Sequence, residues 1–312
     1  MLTAQQVQFF FDNGYLKVPG AIAPNEVQRL RDATQQLIDN GPPADATPGE
    51  RADFQYGRTR GSEDKVLCRI EYVQGKGDVF LHLLAHPVLL DAVYKVVGER
   101  FVPTFDSCVI KMPGRGVEVP WHRDGGGPIM FFDDPESGRR FPAVNFDIYL
   151  DEANEQSGAL WVIPGSNKDK ESRAPELAKA GEYETVPGAI RVDMAPGDML
   201  LHDVTLYHGS PETQGGPLRR VIYYEFRDMR FINRAHRAAP GEMAHHKWSD
   251  AWIRQRLSVL QQALDKRHSA GLEVLCREHP EAFLRIPSAQ AAKVHPRVPH
   301  PGWDENAAQR AA

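Results

Sequence analysis

The chain is poor in cysteine, and the three that it has are widely separated. Cys68, Cys108 and Cys276 form no Cys-x-x-Cys pair in a sequence of 312 residues. This spacing argues against a zinc ribbon and against a disulfide framework. We therefore expect three reduced thiols that pack as small hydrophobic groups, as in a cytoplasmic protein.

Sequence features that indicate membrane insertion, secretion or nucleic-acid binding are also missing. The longest apolar run, 79–90, is interrupted by two histidines and a proline, so it cannot cross a bilayer. The first residues have neither the basic start nor the apolar stretch of a signal peptide. A net charge of −5 without any block of like charges gives no reason to expect a nucleic-acid partner.

The pattern of turns and apolar positions predicts a mainly β fold with flanking helices. Helical periodicity occurs near both ends, whereas the region between about 101 and 227 consists of short strands separated by Pro-Gly and Ser-Gly turns. A doubly wound parallel sheet is excluded, because helices between the strands are missing. We expect one domain, 1–312. It has a helical flank with early strands over about 1–100, a β core over about 101–230 and a helical extension over about 231–312.

A histidine and an aspartate two residues apart, His122 and Asp124, are the first candidate for chemistry. By itself a His-x-acid pair has little weight, because this composition produces about one or two by chance. A third group, His208, lies far downstream and is followed by Arg219. Two imidazoles and one carboxylate on one face of an octahedron are typical of non-haem Fe(II), with three positions left open.

Several motifs around these residues occur in a characteristic order. They are Trp-His-Arg-Asp at 121–124, Asn-Glu-Gln-Ser-Gly-Ala-Leu-Trp-Val-Ile-Pro-Gly-Ser-Asn-Lys at 154–168, Pro-Gly-Asp at 196–198, His-Gly-Ser at 208–210 and Arg219. With Phe-Phe-Asp-Asn-Gly-Tyr-Leu near the start, the chain resembles the phytanoyl-CoA dioxygenase family from residue 3 to about 226. The resemblance implies a double-stranded β-helix core of the jelly-roll or cupin-like type. It also implies an oxygenase that depends on Fe(II), 2-oxoglutarate and O2.

The resemblance assigns a role to each matching residue. His122, Asp124 and His208 match the metal ligands, and Arg219 matches the arginine that pairs with the far carboxylate of 2-oxoglutarate. A guanidinium suits this role because it binds a carboxylate through two parallel hydrogen bonds and keeps its charge. Ser210 matches a hydroxyl that supports the same carboxylate.

Further positions are predicted to complete the pocket. Arg69 matches a basic position that reaches the cosubstrate, and Ser107 or Val109 should line the pocket. By strand alternation Asn145 and Asp147 share a face, and we expect both to contact substrate. A carboxylate at 147, where many relatives have an aromatic residue, favours a polar or cationic substrate. Asp124 supplies the acidic ligand of the predicted set. The resemblance therefore implies hydroxylation and not halogenation.

Several of these assignments have alternatives. Adjacent strand residues face opposite sides, so either Arg219 or Arg220 points inward, and the spacing from His208 favours Arg219. Ser210 could instead cap the turn before Pro211. Arg69 could pair with Glu71 or Asp106 on the sheet, and Asn145 and Asp147 could simply be solvated strand residues.

Three other features have a purely structural explanation as well as a functional one. The glycines at 125–127, with Phe131 and Phe132, predict either a lid over the metal or an ordinary flexible loop. His202 is predicted to lie behind the ligands or in the core. The pair His245-His246 is predicted to lie on the surface, because adjacent imidazoles do not readily share one ion.

We therefore expect an oxygenase that hydroxylates an unactivated C–H bond of a small, polar molecule of secondary metabolism, releasing succinate and CO2. Desaturation or oxidative cyclisation would use the same fold and cofactors. A cupin-like metal enzyme without 2-oxoglutarate would not need Arg219, and a binding module without activity would not need all three metal ligands.

Overall fold

The computed structural model describes residues 1–125, 133–134, 138, 140–180, 182–230, 249–275 and 288–299. The helices of this part of the chain are α1 (Ala4–Asn13), α2 (Pro24–Asn40), α3 (Pro48–Ala52), α4 (Asp78–Leu84), α5 (Pro87–Val96), α6 (Ala174–Leu177), α7 (Asp250–Ser269) and α8 (Ser288–Ala291). The capping box predicted for the first helix is present, with Thr3 and Gln6 bonded to each other's backbone N–H groups.

Strands make up the rest of the regular structure. They are β1 (Tyr15–Val18), β2 (Phe54–Gly57), β3 (Val66–Glu71), β4 (Phe101–Lys111), β5 (Arg115–Gly116), β6 (Val119–His122), β7 (Ala143–Tyr149), β8 (Leu160–Val162), β9 (Ile190–Val192), β10 (Met199–Asp203), β11 (His208–Ser210), β12 (Thr213–Gln214) and β13 (Arg219–Asp228). The prediction of a mainly β fold with flanking helices is confirmed.

Two antiparallel sheets contain the strands that carry the candidate site. The larger sheet has the order β1-β10-β7-β13-β4-β3-β2, and the smaller one has the order β6-β11-β8-β9. The early strands β1, β2 and β3 are thus part of the larger sheet and not only a flank. The division into segments of one domain stays a prediction.

The two faces of the larger sheet have different partners. On β7, Phe146 and Ile148 belong to the apolar core shared with the helices. On the opposite face, Tyr149 packs with Leu160 and Val162 of the smaller sheet. The same face also carries Asn145 and Asp147, as alternation requires. Polar side chains are therefore enclosed between the two sheets, where a reaction centre is shielded from bulk water.

Helix α7 lies against the end of β4 and fixes the C-terminal region to the core. Its Arg256 is fully buried and donates to Asp106 of β4 at 3.1 Å and to the carbonyl of Pro103 at 2.7 Å. Asp106 also accepts from the backbone N–H of Gln74 at 3.0 Å.

Within the described ranges, no single helix has the length and apolar character to cross a membrane. Helices α4 and α5 meet both criteria only as a pair, and they are bent by 42° at their junction.

The buried pair between Arg256 and Asp106 allows a stability prediction. Arg256→Ala should lower the free energy of unfolding by about 3–5 kcal/mol, because it leaves the Asp106 carboxylate buried without its cation. The control Arg254→Ala changes an exposed residue of the same helix and should change stability by less than about 0.5 kcal/mol. Chemical denaturation measures both. Equal stabilities of the two variants would contradict the account.

Candidate active site

Two of the candidate metal ligands lie on the neighbouring strands β6 and β11, and the third lies just after the end of β6. In the pairing of β11 with β6, His208 lies opposite His122, and the imidazole centroids are 4.2 Å apart. Asp124 follows β6 by two residues, and its Oδ1 lies 3.3 Å from Nε2 of His122. One ligand atom from each of the three residues lies within 4.8 Å of the other two.

Backbone carbonyls set the orientation of both imidazoles. Nδ1 of His122 donates to the carbonyl of Pro120 at 2.8 Å, and Nδ1 of His208 donates to the carbonyl of Leu206 at 3.0 Å. Each Nδ1 therefore carries the hydrogen, and each Nε2 is directed toward Asp124. A hydrogen bond of this kind fixes the tautomer and the ring orientation of a metal-binding histidine.

The electrostatic surroundings favour the protonation states that metal binding needs at His208 and Asp124, whereas at His122 burial is outweighed by the hydrogen bond and charge of Asp124, which raise the pKa. Burial lowers the pKa of His208 to about 3, and the neighbouring His122 contributes to the shift, so His208 is neutral. Desolvation would raise the pKa of Asp124, but the charge and hydrogen bonds of the surrounding imidazoles hold it well below its usual range. A neutral imidazole and an ionised carboxylate can both donate electron pairs to a cation.

Two side chains from the larger sheet contact the second oxygen of the Asp124 carboxylate. Asn145 donates to Oδ2 of Asp124 at 2.7 Å, and Nε2 of His202 lies 3.1 Å from the same oxygen. On its other side, His202 contacts Asp147, with Nδ1 2.8 Å from Oδ2. His202 thus lies directly behind the ligands, as the sequence predicted.

Asp147 differs from its prediction. Its side chain is fully buried and faces His202, whereas the cavity is lined on this strand by Asn145. The alternation that places both residues on one face is correct, but the imidazole of His202 covers the carboxylate of Asp147. A direct contact between Asp147 and substrate therefore has no geometric basis.

The opposite end of the cavity is built around Arg219. The residue is 1% exposed, and one terminal nitrogen of its guanidinium donates to the carbonyl of Gly158 and, at 3.4 Å, to the hydroxyl of Ser210. Ser210 itself donates to the same carbonyl at 2.7 Å. Among the described residues, Nε of Arg219 has no hydrogen-bond partner.

Arg220 faces the other way and is not a candidate. Its Nε donates to Asp151 at 2.8 Å, and a terminal nitrogen donates to the carbonyl of Arg31 on α2 at 2.9 Å. The structure thus directs Arg219, and not Arg220, into the cavity.

Arg69 and Ser107 also line the cavity, together with Val109. Within the described part of the chain, no hydrogen bond or ion pair to the side chain of Arg69 is found. The predicted alternatives do not pair with it, since Glu71 accepts from Gln55 and Asp106 accepts from Arg256.

The sequence reasoning missed several lining residues on β13 and β4. They are Phe105, Tyr223, Glu225 and Arg227. Three of them follow Arg219 along β13 at every second position, so the alternation that selects Arg219 would also have selected them. Arg227 donates to both oxygens of Glu225, at 2.8 and 3.0 Å, and the hydroxyl of Thr104 donates to the same carboxylate.

Two predictions fall outside the described residues. They are the lid, of which only Gly125 is described, with its N–H donating to the carbonyl of Val204 at 2.8 Å, and the surface pair His245-His246.

The donor set fits a divalent metal with a chelating carboxylate cosubstrate. Two imidazole nitrogens and a carboxylate oxygen are the ligands of non-haem Fe(II) oxygenases. Farther along the cavity, Arg219 offers a buried N–H that has no partner among the described residues, and leaving such a group unpaired is costly. A dianion with one end at the metal and the other at Arg219 satisfies both ends of the cavity.

Comparisons with known proteins agree with this geometry. The model of the family described as phytanoyl-CoA dioxygenase (PhyH) matches residues 10–221. A probable alpha-ketoglutarate-dependent hypophosphite dioxygenase of Stutzerimonas stutzeri is 25% identical over 236 residues, which cover 70% of this chain and 76% of that protein.

Solved structures share the fold. AviO1 from Streptomyces viridochromogenes Tue57 is 28% identical with a TM-score of 0.56, and 73% of this chain and 97% of that one are covered. HygX from Streptomyces hygroscopicus was solved with nickel and 2-oxoglutarate bound. It is 20% identical with a TM-score of 0.57, and the match covers 73% of this chain and 87% of HygX. The predicted jelly-roll core is confirmed. The chain thus belongs to the phytanoyl-CoA dioxygenase family of Fe(II)/2-oxoglutarate-dependent dioxygenases, with O2 as the second cosubstrate.

Proposed function

We propose that this protein hydroxylates an unactivated C–H bond of a small, polar metabolite. In this proposal His122, Asp124 and His208 hold Fe(II), and Arg219 with Ser210 holds the far carboxylate of 2-oxoglutarate. Arg69 and Ser107 bind the same cosubstrate from the side of β3 and β4. Iron, when bound, activates O2 for C–H oxidation while 2-oxoglutarate is converted to succinate and CO2.

The observation that supports this proposal most is the state of Arg219. A buried guanidinium without a carboxylate partner is unfavourable, because its charge is removed from water without compensation. Its only described acceptors are a carbonyl and a hydroxyl, and Nε remains unbonded. A carboxylate delivered by a ligand would complete the set and bind bidentately. A metal enzyme without an anionic cosubstrate has no use for this arrangement.

The chain's own residues have the remaining tasks. The carbonyls of Pro120 and Leu206 keep the imidazoles in one tautomer. Leu160 and Val109 line the cavity between its polar ends and exclude water from it. Exclusion of water strengthens the interactions of bound charges and protects a reactive centre from side reactions.

The polar character of the substrate is supported by the pair formed by Glu225 and Arg227. This buried pair lines the cavity, with Glu225 opposite Asn145 in the sheet, and gives this part of the lining a polar surface that suits a polar substrate better than an apolar acyl chain. Relatives named for hypophosphite, 2-aminoethylphosphonate and ectoine point to small polar molecules as well. We assign substrate contacts to Asn145, Glu225 and Arg227, in place of Asp147.

The role of Arg219 is tested by turnover of 2-oxoglutarate without substrate, followed as succinate release. Arg219→Leu should raise the KM for 2-oxoglutarate by about 10- to 100-fold, because it removes hydrogen bonds between a charged donor and a charged acceptor. Affinity for the metal alone should be unchanged, which also shows that the variant folds.

The matched control is Arg191→Leu, since Arg191 lies on β9 and pairs with Asp193 and Glu155. This control should leave the KM for 2-oxoglutarate unaltered. A normal KM in Arg219→Leu would rule out the cosubstrate assignment.

The substrate end is tested by Glu225→Gln. This change removes a negative charge from the cavity but leaves Arg219 and the metal ligands in place. Succinate release without substrate should stay within about threefold of wild type, whereas its stimulation by active members of a panel of polar metabolites should fall at least about tenfold. The exposed Glu184→Gln serves as the control, and an unaltered stimulation profile in Glu225→Gln would remove Glu225 from the substrate site.

A further inference from the structure

Behind the metal ligands, Asp147 and His202 form a buried chain that ends at Asp124. Both side chains of the pair are 0% exposed, whereas the Asp124 side chain is 30% exposed and opens onto the cavity. The contacts are 2.8 Å from Asp147 Oδ2 to Nδ1 of His202, and 3.1 Å from Nε2 of His202 to Oδ2 of Asp124. The pair is therefore shielded from substrate and acts through its neighbours on the cavity side, which are Asp124 and, with its Nδ2 3.2 Å from Nε2 of His202, Asn145.

Each nitrogen of His202 faces a carboxylate, and an ionised carboxylate only accepts hydrogen bonds. Nε2 of His202 therefore donates to Asp124, and Nδ1 shares a hydrogen bond with Asp147. Asn145 adds a second donor to Oδ2 of Asp124, at 2.7 Å. Oδ2 is in this way occupied by two hydrogen bonds from the larger sheet, while Oδ1 lies on the side of His122, 3.3 Å from its Nε2.

We propose that His202 and Asp147 are positioning residues for the metal. They fix the Asp124 carboxylate through its Oδ2, so that its oxygens lie 3.3 Å from Nε2 of His122 and 3.6 Å from Nε2 of His208, where a cation would bind. This inference rests on the proposed function, because it requires the metal to bind at His122, Asp124 and His208.

The consequence concerns the orientation of the Asp124 carboxylate. Without the donor from His202 this carboxylate loses one of the two hydrogen bonds that fix it beside the imidazoles. Partners behind the ligands commonly set the affinity and the geometry of a metal site in this way.

A purely structural role for the pair makes a different prediction. In that case His202 and Asp147 would only satisfy each other inside the core, and the link between His202 and Asp124 would be incidental. The two roles can be separated, because the two nitrogens of His202 have different partners.

Two variants remove one link each. In His202→Asn the amide nitrogen takes the place of Nδ1, which keeps the donor to Asp147 and removes the donor to Asp124. In His202→Gln the amide nitrogen takes the place of Nε2, which keeps the donor to Asp124 and removes the donor to Asp147. His268→Gln, on the exposed end of α7, is the control.

The measurement is the affinity of the metal-free protein for Co(II), together with the visible spectrum of the Co(II) form and the melting temperature without metal. We expect His202→Asn to bind Co(II) about 10- to 100-fold more weakly than wild type, with an altered spectrum. His202→Gln should bind within about threefold of wild type, and the control should match wild type.

Wild-type affinity in His202→Asn would overturn the inference. Equal losses in both variants that follow their melting temperatures would overturn it as well, since they would indicate a purely structural pair. The wild-type arm tests the proposed function separately. If wild type fails to bind Co(II), the metal site itself is wrong, and the inference is wrong with it. If wild type binds Co(II), the ratio of the Co(II) affinities of the two variants tests the inference.

Discussion

The antiparallel pairing of β6 with β11 is the contact on which the candidate site depends. Directly opposite residues in such a pair have their Cβ atoms about 4.5–5.5 Å apart, and here the opposite residues are His122 and His208. Two imidazoles held at this spacing, with both Nδ1 atoms bonded to backbone carbonyls, bring their Nε2 atoms together before any metal binds. The short strand β11 then continues to Ser210, so a candidate metal ligand and a residue of the proposed anion site lie on one strand.

The second constraint is charge in an enclosed space. Arg219 and Arg69 place two cations on the cavity lining, and the carboxylates near them are paired with other residues or contribute to the metal site. Such a lining is unfavourable without an anion and therefore selects one. At the proposed substrate end, the opposite charges of the buried residues Glu225 and Arg227 compensate each other. In the proposed function, the cavity thus separates an end that binds an anionic ligand from an end that binds a polar one.

The sequence predicted that the three candidate ligands and Arg219 lie around one cavity, as they do, because these residues are embedded in motifs with a characteristic order. It also predicted the face of β7 on which Asn145 and Asp147 lie, since alternation is a local property. It failed for Asp147 because exposure on that face depends on what a neighbouring strand places over it. His202 of β10 covers Asp147, and strand order in a sheet is not visible in one sequence. Glu225 and Arg227 were accessible to the same alternation, extended from Arg219 along β13.

The most direct test of this account is an anaerobic titration of the protein with Fe(II) and 2-oxoglutarate, followed by visible absorption. The account predicts a weak metal-to-ligand charge-transfer band that needs both components and disappears in Asp124→Ala. Absence of the band in wild-type protein that has bound Fe(II) would contradict the claim that this cavity holds 2-oxoglutarate on the metal.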